Sequence, residues 1–224
     1  FNRDTFTTDD TIIAKANGIA AGDTGYIVYI DDALDQLIFA VSDGTDQYGL
    51  VGNTTFTATG WHHFTIVWDQ DSATNSEIYF DGAANTAIDV GTLGNVGDLS
   101  NALTFRLGAE SDNGNPFDGK LDEIRIYDRI LSADEISQLY RLTTPTGVDT
   151  SLKGYWSFNG QDMVGTTAYD RSGAKNTGTL TGGPTRMLGR LGQALDFDGT
   201  DDYVSVADTA LLDFGDTDAF TLSG

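Results

Sequence analysis

No cysteine occurs among the 224 residues, which removes disulfide scaffolds, thiolate zinc centres and thiol nucleophiles together. No apolar run is long enough to cross a bilayer, so membrane insertion is not expected. Cations are scarce: 12 Lys and Arg face 34 acidic residues, for a net charge of −22. A surface of that sign repels phosphate backbones and anionic headgroups, and nucleic acid is not expected as a partner. Glutamate is rarer still. All but four of the acidic side chains are Asp, the short carboxylate favoured in turns and around hard cations. The two histidines, His62 and His63, are adjacent. Neighbouring strand residues point to opposite faces, so the pair cannot chelate one metal, and no Ser–carboxylate partnership is readable for a triad.

What is present is the material of many short strands: 27 Gly, 39% hydrophobic and 11% aromatic residues. Tyr26–Ile30 and Leu37–Val41 read as buried strands, and Gly60–Asp69 alternates, with Trp61, Phe64, Ile66 and Trp68 supplying bulk. Glu77–Phe80 runs into Asp81-Gly82, a hairpin signal. Asn101–Leu107 and Lys120–Tyr127 read as further strands, separated by the polar loop 108–119. Ser132 with Glu135 three residues on forms a capping box, which predicts a short helix with Ile136, Leu139 and Tyr140 on one face. Thr143–Thr150 has linker composition, and Tyr155–Phe158, Leu195–Asp198 and Tyr203–Val206 are strands again.

Several ordered strings carry a family resemblance. YWSF at 155–158, the D-x-S-G turn at 170–173, GQALDFDGTDDYVSV at 192–206 and FTLSG at 220–224 resemble the first third of laminin-G-like domains; GWHHFTIVWD at 60–69, EIYFDG at 77–82 and FDGKLDEIRIYDRILSADEISQLY at 117–140 resemble the other two thirds. The resemblance implies an all-β fold, a two-sheet antiparallel β-sandwich of the concanavalin A-like jelly-roll type with one short helix. The order is rotated relative to the family. Residues 1–141 read as the last two thirds of a domain, 142–153 as a linker and 154–224 as the first third. In the family's usual order FTLSG leads through a tryptophan into a strand like that at Phe1, so Gly224 and Phe1 read as adjoining positions about one residue apart. Two arrangements fit: a tandem array cut across its repeats, or a permuted domain whose blocks close in one chain or onto a neighbouring copy. Residues 1–140 alone would leave sheet edges uncovered.

Calcium needs six to eight oxygens around a sharp turn. Asp196, Asp198, Asp201 and Asp202 surround Gly199 within seven residues, and the resemblance, which implies a structural calcium near the first and last strands, adds Asp122. The alternative at this corner is a turn held by side-chain-to-backbone hydrogen bonds. A second, weaker calcium or ligand loop is Asp112, Asn115 and Asp118, without the terminal Glu of an EF-hand. The jelly roll also carries retaining glucanases, whose E-x-D-x-x-E pattern is missing here, so catalysis is not expected. For glycans, the loops offer Tyr48 and Phe117 as aromatic contacts. The reading is a non-enzymatic, extracellular or cell-surface structural or adhesive module with structural calcium, the repeat unit of a microbial surface or filament-forming protein. Copies of itself and cell-surface glycans are the candidate partners; the alternative is a sugar-binding module of a secreted glycosidase.

Overall fold

The computed structural model describes residues 1–5, 9–20, 22–56, 59–72, 75–91, 96–141 and 149–224. Its strands in the front half are β1 (Asn2–Arg3), β2 (Asp10–Ala14), β3 (Thr24–Asp31), β4 (Gln36–Asp43), β5 (Gln47–Thr55), β6 (Phe64–Asp69), β7 (Glu77–Phe80), β8 (Ala83–Ala84) and β9 (Thr86–Gly91). Then come β10 (Phe105–Leu107), β11 (Asp118–Leu121), β12 (Ile124–Tyr127) and the helix α1 (Ala133–Tyr140). The back half holds β13 (Leu152–Trp156), β14 (Met163–Val164), β15 (Thr167–Ala168), β16 (Gly178–Thr181), β17 (Thr185–Leu188), β18 (Gln193–Asp198), β19 (Tyr203–Val206) and β20 (Ala219–Ser223). The linker expected at 142–153 falls partly on residues 142–148, which lie outside the described residues.

All the pairings are antiparallel. Ten strands make one sheet in the order β14-β15-β16-β19-β10-β2-β3-β4-β5-β9. Facing it are a six-stranded sheet, β13-β12-β20-β6-β7-β8, and a four-stranded sheet, β1-β11-β18-β17. The last two meet where β11 passes into β12 through Asp122 and Glu123, the latter bent to a left-handed φ of 58°. The result is the sandwich the resemblance implied, with one layer broken at that bend.

Strand alternation decides what fills the interior. Tyr26, Val28 and Ile30 of β3, Phe39 and Val41 of β4, and Val204 and Val206 of β19 point inward from the large sheet. Ile66 and Trp68 of β6, Ile126 of β12 and Phe220 and Leu222 of β20 point back at them from the opposite layer. The rings cross the gap: Trp68 lies 5.5 Å from both Phe39 and Tyr48, Tyr26 lies 5.4 Å from Phe220, and Trp156 stacks on Phe105 at 5.6 Å. Residues from before 141 and after 149 therefore share one apolar core. They share sheets too: β18 pairs with β11, β19 with β10, and β20 sits between β12 and β6.

Local signals were realised where the backbone chemistry is strong. Asp81 and Gly82 have φ of 48° and 77°, the left-handed pair a two-residue hairpin turn needs. Tyr140, expected on the apolar face of α1, is 39% exposed, while Ile136 and Leu139 are buried. The capping box is complete at Ser132 and Glu135, and Arg129 also grips the Glu135 carboxylate through two nitrogens at 2.7 and 3.0 Å. That guanidinium contact, opposed by burial and helped by the Ser132 amide, holds the Glu135 carboxyl down to about 2. The folded-state value lies below the ordinary one, so the stabilisation is complete above about pH 4.5 and is lost as pH falls through about 2. The pair is more than a third exposed and screened by solvent, so Glu135→Gln should cost about 1 kcal/mol at neutral pH. Urea midpoints should show that difference shrinking near pH 2; an equal loss at both pH values would mean that the charge is irrelevant.

Candidate functional site

The acidic corner between β18 and β19 is built by strand register. Asp198 ends β18, Gly199 takes a φ of 68°, and the chain returns as β19 from Tyr203. One carboxylate oxygen from each of Asp198, Asp201 and Asp202 lies within 4.8 Å of the others. Some of their oxygens hold the turn: Asp198 Oδ1 accepts from the Thr200 amide at 2.9 Å and the Asp201 amide at 3.4 Å, and Asp202 Oδ2 accepts from the Asp198 amide at 3.1 Å. Oxygens that hold the turn and oxygens left without a hydrogen bond from the described residues therefore coexist here. Asp198 Oδ2, both oxygens of Asp201 and Asp202 Oδ1 accept no hydrogen bond from the described residues. Asp202 is 5% exposed, and its carboxyl is pushed up by burial first and then by Asp198, Asp201 and Asp196, against the Asp198 amide. Hard, anionic, mutually repelling oxygens at a tight turn fit a calcium ion.

Two of the residues grouped with this corner belong elsewhere. The β11–β18 register sets Asp118 opposite Asp198 and Leu121 opposite Leu195, so Asp122 lies past the far end of the strand from the corner. Asp196 turns to Lys120, 3.2 Å away. Asp118, assigned by sequence to the second loop, is the residue that faces the corner: a Cβ on Gly199 would come within 2.7 Å of its Cβ. The second loop does not converge either. Asp112 Oδ1 caps the Gly114 amide at 2.9 Å, and the Asn115 amide donates to Glu110 at 2.8 Å. The glycan contacts are also corrected. Tyr48 is 3% and Phe117 0% exposed, because Tyr48 packs on Trp68 and Phe117 on Phe197; neither ring offers a face to a sugar.

A cavity of about 230 Å³ lies between the six-stranded and four-stranded sheets, walled by Trp61, His63, Asp122, Tyr140 and Arg190. Asp122 Oδ2 accepts from the Leu191 amide at 2.9 Å, whereas its Oδ1 and His63 Nδ1 are buried without partners among the described residues. Burial pushes the Asp122 carboxyl up to about 6 and the His63 imidazole down to about 3. His63 Nε2 lies 3.0 Å from Ser223 Oγ, which brings together a Ser–His pair that sequence could not show. The pair lacks a carboxylate on Nδ1, and Ser223 is fully buried within the sheet. A nucleophile must reach its substrate, and this hydroxyl is buried.

Phe1 and Gly224 also line this cavity. Gly224 and Phe64 exchange both backbone hydrogen bonds, at 2.9 and 3.2 Å, and Phe1 exchanges both with His62, each at 2.8 Å. The two segments thus lie end to end along one line of β6, with a single register position, opposite His63, between them.

Sequence reading missed one feature. Lys15, inside the apolar run TIIAKA, is fully buried, its Nζ 2.9 Å from Asp208, 2.7 Å from Asp213 and 2.6 Å from the Asn101 carbonyl. A cation in an apolar run was the available signal. The acidic doublets Asp9-Asp10 and Asp31-Asp32, weak metal candidates in the string, contribute Asp9, Asp31 and Asp32 to a second group of converging carboxylates, which the pairing of β2 with β3 creates.

A family model described as the concanavalin A-like lectin/glucanases superfamily matches residues 1–137. No curated protein matches the chain.

Proposed function

We propose, on the premise that this chain belongs to the concanavalin A-like lectin/glucanase superfamily, that it is a non-enzymatic, calcium-stabilised structural or adhesive module of an extracellular surface protein, used in repeats. The observation that carries the repeat reading is the line of backbone pairing along His62–Asp69. With one position separating Gly224 from Phe1 in register, a segment like 219–224 leads into one like 1–3 as a single strand. That is the order a repeating array would have. Residues 154–224 then complete the sandwich of a 1–141 block, in the same chain or from a neighbouring copy. The rival reading, a sugar-binding module of a secreted glycosidase, loses Tyr48 and Phe117 to the core and keeps the partly exposed Trp61 and the exposed Tyr140 as aromatic walls of the cavity. Among the described residues no helix is long and apolar enough to cross a membrane.

Asp198, Asp201 and Asp202 would hold the calcium, with Asp118 facing them. The ion would supply a fixed positive charge that ties the β18–β19 corner together. At a hundredfold excess over its dissociation constant, calcium should stabilise the fold by about 2.7 kcal/mol, a rise of about 5–10 °C in the thermal midpoint for a chain of this size. The double variant Asp198→Asn/Asp201→Asn should lose the response. A wild-type midpoint that ignores calcium, or a double variant that still responds, rejects the site. Glycan-array binding abolished by chelator would favour the lectin reading over the adhesive one.

A further inference from the structure

A separate cleft opens on the outer face of the ten-stranded sheet. It measures about 180 Å³ and is lined by Asp9, Gly18, Ile19, Ile27, Tyr29, Glu110 and Asn115. Its floor is apolar: Ile19 and Tyr29 pack on the outer cluster of Ala14, Ile27 and Ala40. Its polar edge is anionic. Asp9 stands on one side with Asp31 and Asp32 behind it, and Glu110 stands on the other.

Glu110 is the informative residue. It is 8% exposed, so more than nine-tenths of it has left water, yet no Lys, Arg or His of the described residues lies within 4 Å of its carboxylate. Oε1 accepts from Asn115 at 2.8 Å. Oε2 accepts no hydrogen bond from the described residues; it lies against Gly114, where a Cβ would come within 2.6 Å of it, and has Gly18 across the cleft, where a Cβ would stand 4.0 Å away. The Thr11 hydroxyl, on the Tyr29 face by the β2–β3 register, is buried without a partner among the described residues. Arg106, four residues back, lies over the Tyr203 ring and donates from Nη1 to the Glu110 backbone carbonyl and to Asn113 Oδ1 instead of to the Glu110 carboxylate. Burial first, and then Asp112, Asp23 and Asp9, push the Glu110 carboxyl up, against its bond to Asn115. Burial, Asp31, Asp9 and Glu110 push the Tyr29 hydroxyl up to about 12. With one oxygen bonded to Asn115 and the other left to the cleft without a counter-ion among the described residues, a cation bound there would offset the cost of drawing this carboxylate out of water.

We propose that this cleft binds a primary alkylammonium group, the chemistry of a lysine side chain, with the nitrogen between Glu110 and Asp9 and the methylenes on Ile19, Ile27 and the Tyr29 ring. Three ammonium hydrogens match Glu110 Oε2, the Asp9 carboxylate and the Asn115 amide oxygen, and an alkyl stem suits the apolar floor. A bare divalent ion suits it less. Calcium needs six or more oxygens, Glu110 belongs to no group of three carboxylates within 4.8 Å, and half the wall is hydrocarbon. The inference is independent of the calcium reading, because the β18–β19 corner contributes none of the lining residues.

The test is an amide NMR titration of the intact protein with Nα-acetyl-lysine methylamide, its norleucine counterpart, 1,5-diaminopentane and calcium, following Gly18, Tyr29 and Glu110. The lysine compound should shift these amides saturably, norleucine should not, and Glu110→Gln should weaken binding about tenfold or more while the thermal midpoint holds or rises. Tighter binding of the lysine amide than of the diamine identifies a protein side chain as the source, and the reverse identifies a free amine. No shift with either amine, unchanged binding by Glu110→Gln, or a Glu110-dependent shift with calcium alone would overturn the proposal.

Discussion

Trp156→Ala should lower the unfolding free energy by about 3–5 kcal/mol, the largest single loss expected in the molecule. The side chain is fully buried. Its ring stacks on Phe105 at 5.6 Å, and its Nε1 donates to the Asn176 carbonyl at 3.0 Å. Removing it leaves a cavity between β13 and β10 and an orphaned carbonyl at Asn176, and both terms act in the same direction. Phe105 lies before residue 141 and Trp156 after 149, so the variant also tests whether the two halves share one cooperative core. Urea unfolding followed by fluorescence and by circular dichroism should give one transition, shifted to lower denaturant by both probes. Two separate transitions, only one of them moved, would mean that the halves unfold independently.

Lys15→Met is expected to cost about 3 kcal/mol, at the lower end of what breaking a buried ion pair costs. The ammonium is held by oxygens from two separate loops, Asn101 on one and Asp208 and Asp213 on the other. Methionine fills the volume and leaves two carboxylates facing each other. Those side chains are 41% and 21% exposed, so water reaches them and limits the loss. The discriminating measurement is the double variant Lys15→Met/Asp213→Asn, which should recover part of the stability by removing one of the two stranded charges. A loss under 1 kcal/mol for Lys15→Met alone would show that the lysine is a packing element with no electrostatic share.

The fold was legible because its signals are local or periodic. The left-handed pair at Asp81-Gly82, the capping box at Ser132 and the inward residues of β3, β4 and β19 each follow from neighbours within a few positions. Site residues were legible only in part. The run Asp198–Asp202 is contiguous, so its convergence could be read from the string. Where Asp118 and Asp122 fall relative to it depends on the β11–β18 register, which a single sequence does not fix. Tyr48 and Phe117 were misread for a related reason. Loop composition around them suggested exposure, whereas strand alternation at Tyr48 and the Phe197 ring against Phe117 turn both rings inward. Lys15 had no partners within sequence reach, and Glu110, though bonded to Asn115 five residues on, owes the apolar floor beside it to β2 and β3, which only the folded topology brings there.

The interleaving of early and late strands also governs how the molecule forms. Thr65 and Ser223 hydrogen-bond across 158 residues of chain, and Lys15 meets Asp208 across 193. Contacts of that span close loops whose entropy must be lost before any burial is gained, so assembly of the native sheets should be slow compared with a protein of local contacts. During synthesis β6 waits for β20 with one edge and the apolar face of Ile66 and Trp68 uncovered. Until β20 emerges, the nascent chain is a template for stray strands, and its yield in the cell should depend on protection against aggregation during that interval.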